Sequence, residues 1–264
     1  MIWSKIANQI TYEYQESRSI SGLGEESRRY VRQIKEGLLT SAEQRLLGTR
    51  KVTVVGVGGL GSTVAILLVR TGVKKIRLID HDIIEINDLH RQLLYFSRDV
   101  GKLKVEQARK HLELIDESVE IESIPKKLTE ENAKEYLHNS DIIVDGLDNY
   151  LSRRIVNQVA VELKIPYIFA GVYRKIGNVM SIIPYESPCL ECLYYGKLSP
   201  DPVELGVMPY AVTVIGSIEA METINVLLGK PMLKGELLLI DLENLDMRKI
   251  KFERRGGCPV CGGR

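Results

Sequence analysis

From residue 51 onward the chain alternates short, nearly continuous apolar runs with longer segments whose apolar positions recur three and four apart. The runs "KVTVVGV", "KKIRLID", "VEIESI", "DIIVDGL" and "IPYIFAG" have the length and β-branched content of buried strands. Between them, "STVAILLVRTG", "KVEQARKHLELID", "EENAKEYLH" and "YLSRRIVNQVAVELK" carry helical spacing. Such alternation predicts a parallel sheet with helices on both faces, because each parallel connection needs a crossover. The rhythm changes after Gly171, where "NVMSIIP" follows with no crossover helix and predicts an antiparallel extension. A cysteine pair and a loop from about Tyr194 to Pro209 come next. The long helix "AVTVIGSIEAMETINVLLG" is closed by Gly229 and Pro231, and "ELLLIDL" with "MRKIKFERR" reads as a final hairpin. The expected fold is an α/β, doubly wound sheet, parallel in its first half with an antiparallel C-terminal extension.

Ahead of residue 51 the pattern is weaker. "YVRQIKEGLL" has partial helical spacing, "SAEQRLLG" reads as a short capped helix, and residues 1–28 form a polar arm or loosely attached helix. A hydrophobic content of 44% with 27% charged residues is that of an ordinary globular protein, so a sizeable core is expected. The net charge of +1 offers no electrostatic case for nucleic acid or an anionic membrane as partner. No apolar run approaches the roughly 20 residues of a membrane span, and the start lacks the apolar core of a signal peptide, so a cytoplasmic location is expected.

The first chemistry-bearing stretch is "GVGGLGS" at 56–62, between a strand and a helix. Glycines there allow a tight turn and let backbone N–H groups approach phosphate, while the helix N-terminus adds partial positive charge. The bland alternative is a tight turn that binds nothing. Asp80, nineteen residues after Gly61, closes the second strand and can accept from ribose hydroxyls. Both features suit the adenosine of a dinucleotide and of ATP equally. The sheet is therefore expected to be Rossmann-like, with residues 51–171 as a nucleotide-binding half.

The next stretch, "HDIIEINDLHRQLLYFSRDVGKLKVEQARK", separates the two ligands. Arg91, Lys102 and Lys104 follow the ribose acid where a phosphate chain would extend. A guanidinium fork and a compact ammonium suit leaving phosphates, whereas hydride transfer needs neither. Their bland reading is surface charge on a helix. "DGLDNY" at 145–150 then places Asp148 at a strand's carboxyl edge, where it could hold magnesium or simply cap the following helix. Asp145 is expected to be structural.

The four cysteines fall in two pairs, Cys189 with Cys192 and Cys258 with Cys261. Two Cys-x-x-Cys pairs in a chain without a secretory signal point to one closed tetrahedral zinc site, structural because no position is left open for water. Two reactive dithiols are the redox alternative. The terminal "GGR" is most simply a flexible end.

In order and spacing, "RRYVRQI", "GVGGLGS", "LIDHDIIEINDLHRQ", "GKLKVE", "DGLDN" and the two cysteine pairs resemble the ThiF/MoeB/HesA family, prokaryotic relatives of the ubiquitin-activating enzymes, with a layout nearest MoeB-type members. The resemblance runs from about Arg29 to Cys261 and implies a single adenylation domain over 29–264, its part 172–264 comprising the sheet extension, a crossover loop and the zinc site. It implies that magnesium ATP and the C-terminal carboxylate of a ubiquitin-like β-grasp carrier ending in Gly-Gly give an acyl-adenylate and pyrophosphate. Carried over by motif, the nucleotide would meet Gly56, Gly58, Gly59 and Gly61, with Asp80 on the ribose. Asn87, Gln92 and Asn149 join the nucleotide set, Arg91 and Lys104 take the phosphates, and Asp148 holds magnesium. The resemblance also implies a homodimer in which Arg32 reaches the neighbouring subunit's site; its bland reading is a solvated helix charge.

Two departures qualify the carry-over. Asp88 stands where many relatives have asparagine, and a carboxylate beside phosphates would repel them unless it faces the metal or solvent, which weakens the carry-over for Asp88 but not for Arg91. Pro202 stands where several relatives carry a cysteine that forms a covalent link to the activated protein, and all four cysteines are in the pairs. Adenylation without an enzyme-bound acyl intermediate at that loop is thus expected. No C-terminal rhodanese-like region is present, so sulfur is expected from a separate sulfurtransferase. Adenylation of a peptide or small-molecule carboxylate is the near alternative, and an NAD-dependent oxidoreductase is the alternative from a different class.

Overall fold

The computed structural model describes residues 28–35, 37–194 and 206–262. The chain forms two compact units, Met1–Gln44 and Arg45–Arg264. The expected arm over 1–28 (but for its last residue), the centre of the expected crossover loop with Pro202, and the end of "GGR" lie outside the described residues. In the N-terminal unit, α1 (Val31–Lys35) is a short helix without buried residues. The start of α2 (Ser41–Thr49) is closed by a capping box: the Glu43 N–H donates to Thr40 Oγ1 at 3.1 Å, and Thr40 N–H donates to Glu43 Oε2 at 2.7 Å.

The larger unit is built on one eight-stranded sheet in the order β3-β2-β1-β4-β5-β6-β7-β8. Five strands are parallel: β1 (Lys51–Val55), β2 (Lys75–Ile79), β3 (Glu120–Ile124), β4 (Ile142–Asp145) and β5 (Tyr167–Tyr173). β6 (Ile176–Ile182), β7 (Glu236–Asp241) and β8 (Asp246–Lys251) extend it antiparallel, as the loss of crossover spacing after Gly171 predicts. The chain winds outward from β1 through β2 to β3, then returns to place β4 on the other side of β1. That reversal opens a crevice at the carboxyl ends of β1 and β4, where open α/β sheets bind ligands.

The helices of this unit are α3 (Gly59–Thr71), α4 (Lys104–Ile115), α5 (Ala133–Leu137), α6 (Tyr150–Leu163), α7 (Leu190–Tyr194) and α8 (Pro209–Leu227). Three differ from the expected bounds for local reasons. α3 starts inside the glycine fingerprint, at Gly59 rather than at Ser62. α5 is shorter than "EENAKEYLH", because Asn132 Oδ1 accepts from the Thr129 N–H at 2.8 Å and holds the preceding residues in a turn. α7 gives the first cysteine pair a helical turn where no element was expected.

α8 is apolar on most of its circumference and packs against α3, β4, β5 and β6. Small residues bring it close: Gly216 sits against Thr63 of α3, and Gly177 of β6 sits against Ile215. It also buries two acids that its pattern does not announce. Glu222 accepts from Ser181 Oγ at 2.8 Å and from the Met232 and Leu233 N–H groups at 2.9 and 2.8 Å, so it ties β6 to the segment leading into β7. Burial pushes the Glu219 carboxyl well above the ordinary carboxylate value, against the pull of Arg153. Among the described residues no helix is long and apolar enough to cross a membrane.

The end of α4 is tied to the start of β2. Asp116, its C-cap, lies 2.6 Å from Lys74 Nζ and accepts from the Ser118 N–H at 3.0 Å. Burial pushes its carboxyl up, but these partners more than offset that and hold it well below 3.8. A depressed folded-state pKa contributes stability above the unfolded value and loses it as pH falls toward the folded one. Asp116→Asn should therefore lower stability at pH 7 by roughly 1–2 kcal/mol. The gap to wild type should shrink below about pH 4, as urea midpoints at pH 7 and pH 3 would reveal.

Candidate functional site

The crevice is shaped by glycine backbone. Gly56 follows β1 with φ +85°, a conformation that favours glycine, and its N–H donates to Ile79 O of β2 at 2.8 Å. Across the sheet, the Gly146 N–H donates to Val55 O at 2.8 Å. A Cβ on Gly56 would collide with the Gly146 backbone, and one on Gly61 or Gly146 would collide with the carbonyl of Gly56. The three glycines therefore let α3, β1 and β4 meet backbone to backbone. The turn is held from the other side by Asp80, whose Oδ2 accepts from the Val57 N–H at 2.7 Å, and by the Tyr95 hydroxyl, which donates to Val57 O at 2.8 Å.

Above this turn lies a cavity of about 220 Å³. Gly56, Gly58, Gly59, Asp80, Arg91, Gln92, Lys104, Asp148 and Asn149 all line it, so most residues of the expected nucleotide set converge on one space. Gly61 serves it from behind, in the glycine contact. Asn87 contributes its backbone: its carbonyl accepts from Arg91 Nη1 at 2.7 Å. Lys102 pairs with Asp99 at 3.5 Å and does not line the cavity. Arg32 belongs to the N-terminal unit, where it is exposed on α1. Burial pushes the Asp80 carboxyl above its ordinary value, while the Val57 and Asp82 N–H groups and Lys104 pull it back.

The two cations Arg91 and Lys104 do not stand alone. Lys104 begins α4, almost fully buried, with its Nζ 3.3 Å from Asp82 and 3.5 Å from Asp88. Arg91 lies 3.2 Å from Asp88 through Nη2. Asp88 is turned away from solvent: it is 5% exposed and paired with both cations. The physical reason is its place in a short 3-10 turn, Ile86–Asp88, whose capping draws the carboxylate inward to the Glu85 N–H at 3.0 Å.

On the opposite wall, helix capping falls to Asn149, whose side chain accepts from the Ser152 N–H at 2.9 Å. The neighbouring Asp148 is exposed and not used as the cap, which leaves its carboxylate facing the cavity. The loop that carries it is braced from below. Buried Asp145 accepts from Arg153 Nε at 3.0 Å, from the Tyr167 hydroxyl at 2.6 Å and from the Leu147 N–H at 2.8 Å. Arg153 in turn donates to Leu147 O at 2.5 Å and Ala170 O at 2.8 Å. Burial disfavours the guanidinium's charge, but Asp145 more than offsets this and keeps it protonated. Asp145 is structural, as expected.

Lys126 and Lys127, with Leu128, also line the cavity from the segment after β3. Sequence reasoning passed over them; the available signal was "PKK" at the carboxyl edge of a parallel strand. Gly146 was equally missed, although "DGLD" places a glycine where two strands and a helix must meet. Taken together, the site offers backbone N–H groups at a helix start, a buried ammonium, a part-buried guanidinium, the Asp80 carboxylate and the exposed Asp148 carboxylate. That inventory matches a nucleotide carrying a phosphate chain.

The four cysteines gather at one buried point, their Sγ atoms all within 4.8 Å of one another, with Cys189 3.7 Å from Cys258 and Cys192 3.4 Å from Cys261. Zinc–sulfur bonds of about 2.3 Å in a tetrahedron put sulfurs roughly 3.8 Å apart, so the thiols fit zinc. The Leu190 N–H donates to Asn157 Oδ1 at 3.0 Å and Arg255 Nη2 donates to Glu191 O at 2.9 Å, so the cluster joins α6, α7 and the segment after β8.

A sequence profile described as "ThiF family" matches residues 30–260. A Thermus thermophilus protein named "Sulfur carrier protein adenylyltransferase" is 39% identical over 249 residues, covering 90% of this chain and 92% of the relative. An Aedes aegypti protein named "Adenylyltransferase and sulfurtransferase MOCS3" is 35% identical over 239 residues, covering 88% of this chain and 55% of the relative. In fold, the chain is similar to a crystal structure of Escherichia coli MccB with ATP, with a TM-score of 0.78 at 24% identity over 89% of this chain and 75% of that one.

If the cysteine cluster is a structural zinc site, purified protein should carry one zinc per chain by atomic emission. Cys258→Ser should lose it and lower Tm by about 5 °C or more. Zinc-free wild type with an unchanged Tm would count against the assignment.

Proposed function

The chain belongs to the ThiF family, and from that premise we propose that it is an ATP-dependent adenylyltransferase that activates the C-terminal carboxylate of a ubiquitin-like sulfur-carrier protein ending in Gly-Gly. The observation that carries the reading is one cavity in which Arg91 and Lys104 face Asp148 across the glycine turn. The names of the Thermus and Aedes relatives support the reaction type, and the first supports the substrate class.

The chemistry asks little covalent work of the protein. A carboxylate oxygen of the carrier attacks the α-phosphorus, the bond to the bridging oxygen breaks, and pyrophosphate leaves with the electron pair. Two anions must approach, and negative charge then collects on the leaving group. Arg91 and Lys104 stabilise that charge; each unit charge about 4 Å from a phosphate oxygen contributes about 4 kcal/mol at an effective dielectric of 20. The N–H groups at the start of α3 hold the phosphates, and Asp80 accepts from the ribose while it pins the turn. Asp148 is the residue that would hold magnesium, which when bound would neutralise phosphate charge and orient the chain. The four buried cysteines would hold zinc in a structural role.

All four cysteines of the sequence belong to the cluster, which favours direct release of the acyl-adenylate over an enzyme thioester. Sulfur would then come from a separate sulfurtransferase. The reading includes a homodimer in which each copy lends Arg32 to the other's phosphates.

ATP–pyrophosphate exchange with Gly-Gly-terminated carriers is the test. Exchange should depend on the carrier and should fall by about 10²–10³-fold in Asp148→Ala. Full exchange in the variant would remove Asp148 from the reaction. Exchange with a short peptide and no carrier would move the substrate to peptides. Tight NADH binding without ATP binding would replace the adenylyltransferase with a dehydrogenase.

A further inference from the structure

Asp88 does not line the cavity, yet its two carboxylate oxygens reach three side chains that do. Oδ1 accepts from Gln92 Nε2 at 2.5 Å and from Arg91 Nη2 at 3.2 Å. Oδ2 accepts from the Glu85 N–H at 3.0 Å and lies 3.5 Å from Lys104 Nζ. Four donors therefore converge on two oxygens of one buried carboxylate. Without it, a part-buried guanidinium and a buried ammonium on the same wall would lack their shared counter-charge and repel. Asp82 is a poorer counter-charge, since of the two cations it meets Lys104 alone and its side chain is half exposed.

The Gln92 amide adds an independent sign. It is 2% exposed, and its Oε1 is buried with no hydrogen-bond partner among the described residues. Its orientation follows from Asp88: with the amide reversed, two acceptor oxygens would meet. The carboxylate thus turns the open acceptor of Gln92 away from itself. A buried polar atom left open on a cavity wall costs free energy unless a ligand donor meets it.

We propose that Asp88 is a positioning residue that holds Arg91 and Lys104 as one array for the β- and γ-phosphates of ATP and fixes the Gln92 amide beside them. The inference rests on the adenylyltransferase reading and specifies how this chain, with aspartate in place of asparagine, prepares the phosphate side. An asparagine offers one oxygen and one NH₂ group. It can therefore serve at most one of the two donor pairs and turns a donor toward the other. Removing the carboxylate should cost ordering of the array before the phosphates arrive.

Calorimetric titration of magnesium-ATP and of AMP into wild type, Asp88→Asn and Asp88→Ala tests this. ATP binding should weaken by about tenfold in both variants while AMP binding stays within about threefold, so that selectivity for the longer phosphate chain falls. Thermal midpoints serve as the folding control; if the alanine variant does not fold, the near-isosteric asparagine variant decides. Unchanged selectivity, tighter ATP binding or an equal loss of both ligands overturns the inference, tighter binding because the carboxylate would then act chiefly as a repelling charge. A wild type that binds no ATP overturns the adenylyltransferase reading and the inference with it.

Discussion

The backbone contact among Gly56, Gly61 and Gly146 is the constraint on which the rest of the site depends. A methyl group on any of the three would strike main-chain atoms of another. With the glycines in place, α3 starts directly over β1, and the loop after β4 lies beside the same turn. The start of a helix, Asp80 just after β2 and the Asp148 loop are thereby brought around one small cavity. A wider separation would leave the N–H groups of α3 too far from the other wall to share a ligand with it.

Charge is arranged around that contact in opposed pairs. The cavity holds Arg91, Lys104, Lys126 and Lys127 against Asp80, Asp82 and Asp148, with Asp88 behind the wall. Such compensation keeps the buried Lys104 in place when the cavity holds no phosphate, because an isolated ammonium in a dry wall is strongly disfavoured. The same logic governs the layer beneath, where Asp145 and Arg153 form a buried pair whose remaining hydrogen bonds fasten the loop to β5. Rigid support of this kind positions a functional carboxylate more accurately than a free loop would.

The antiparallel half of the sheet has a different task. It carries α8, which reaches back to the glycine turn through Val212 against Gly59, and it leads to the cysteine cluster that fastens the segment after β8 to α7. The parallel half and the antiparallel extension of the sheet are therefore mechanically continuous within the larger unit.

Much of this was legible in the sequence. Strand and helix spacing determined the sheet's parallel half, the change of rhythm after Gly171 determined its antiparallel half, and the glycine, acid and cation motifs named most, not all, of the residues that share a cavity. These signals are local, since a strand's period, a turn's glycine and a paired Cys-x-x-Cys are each set within a few residues. What only the tertiary structure decided is how side chains distant in sequence answer one another. Asn149 rather than Asp148 caps α6, and Lys126 and Lys127 join the cavity from a segment without a motif. The inward turn of Asp88 belongs to the same class. Motif spacing places an acid beside two cations, but whether that acid faces water or the cations depends on packing around it. In a buried wall, desolvation leaves the paired arrangement as the favourable one.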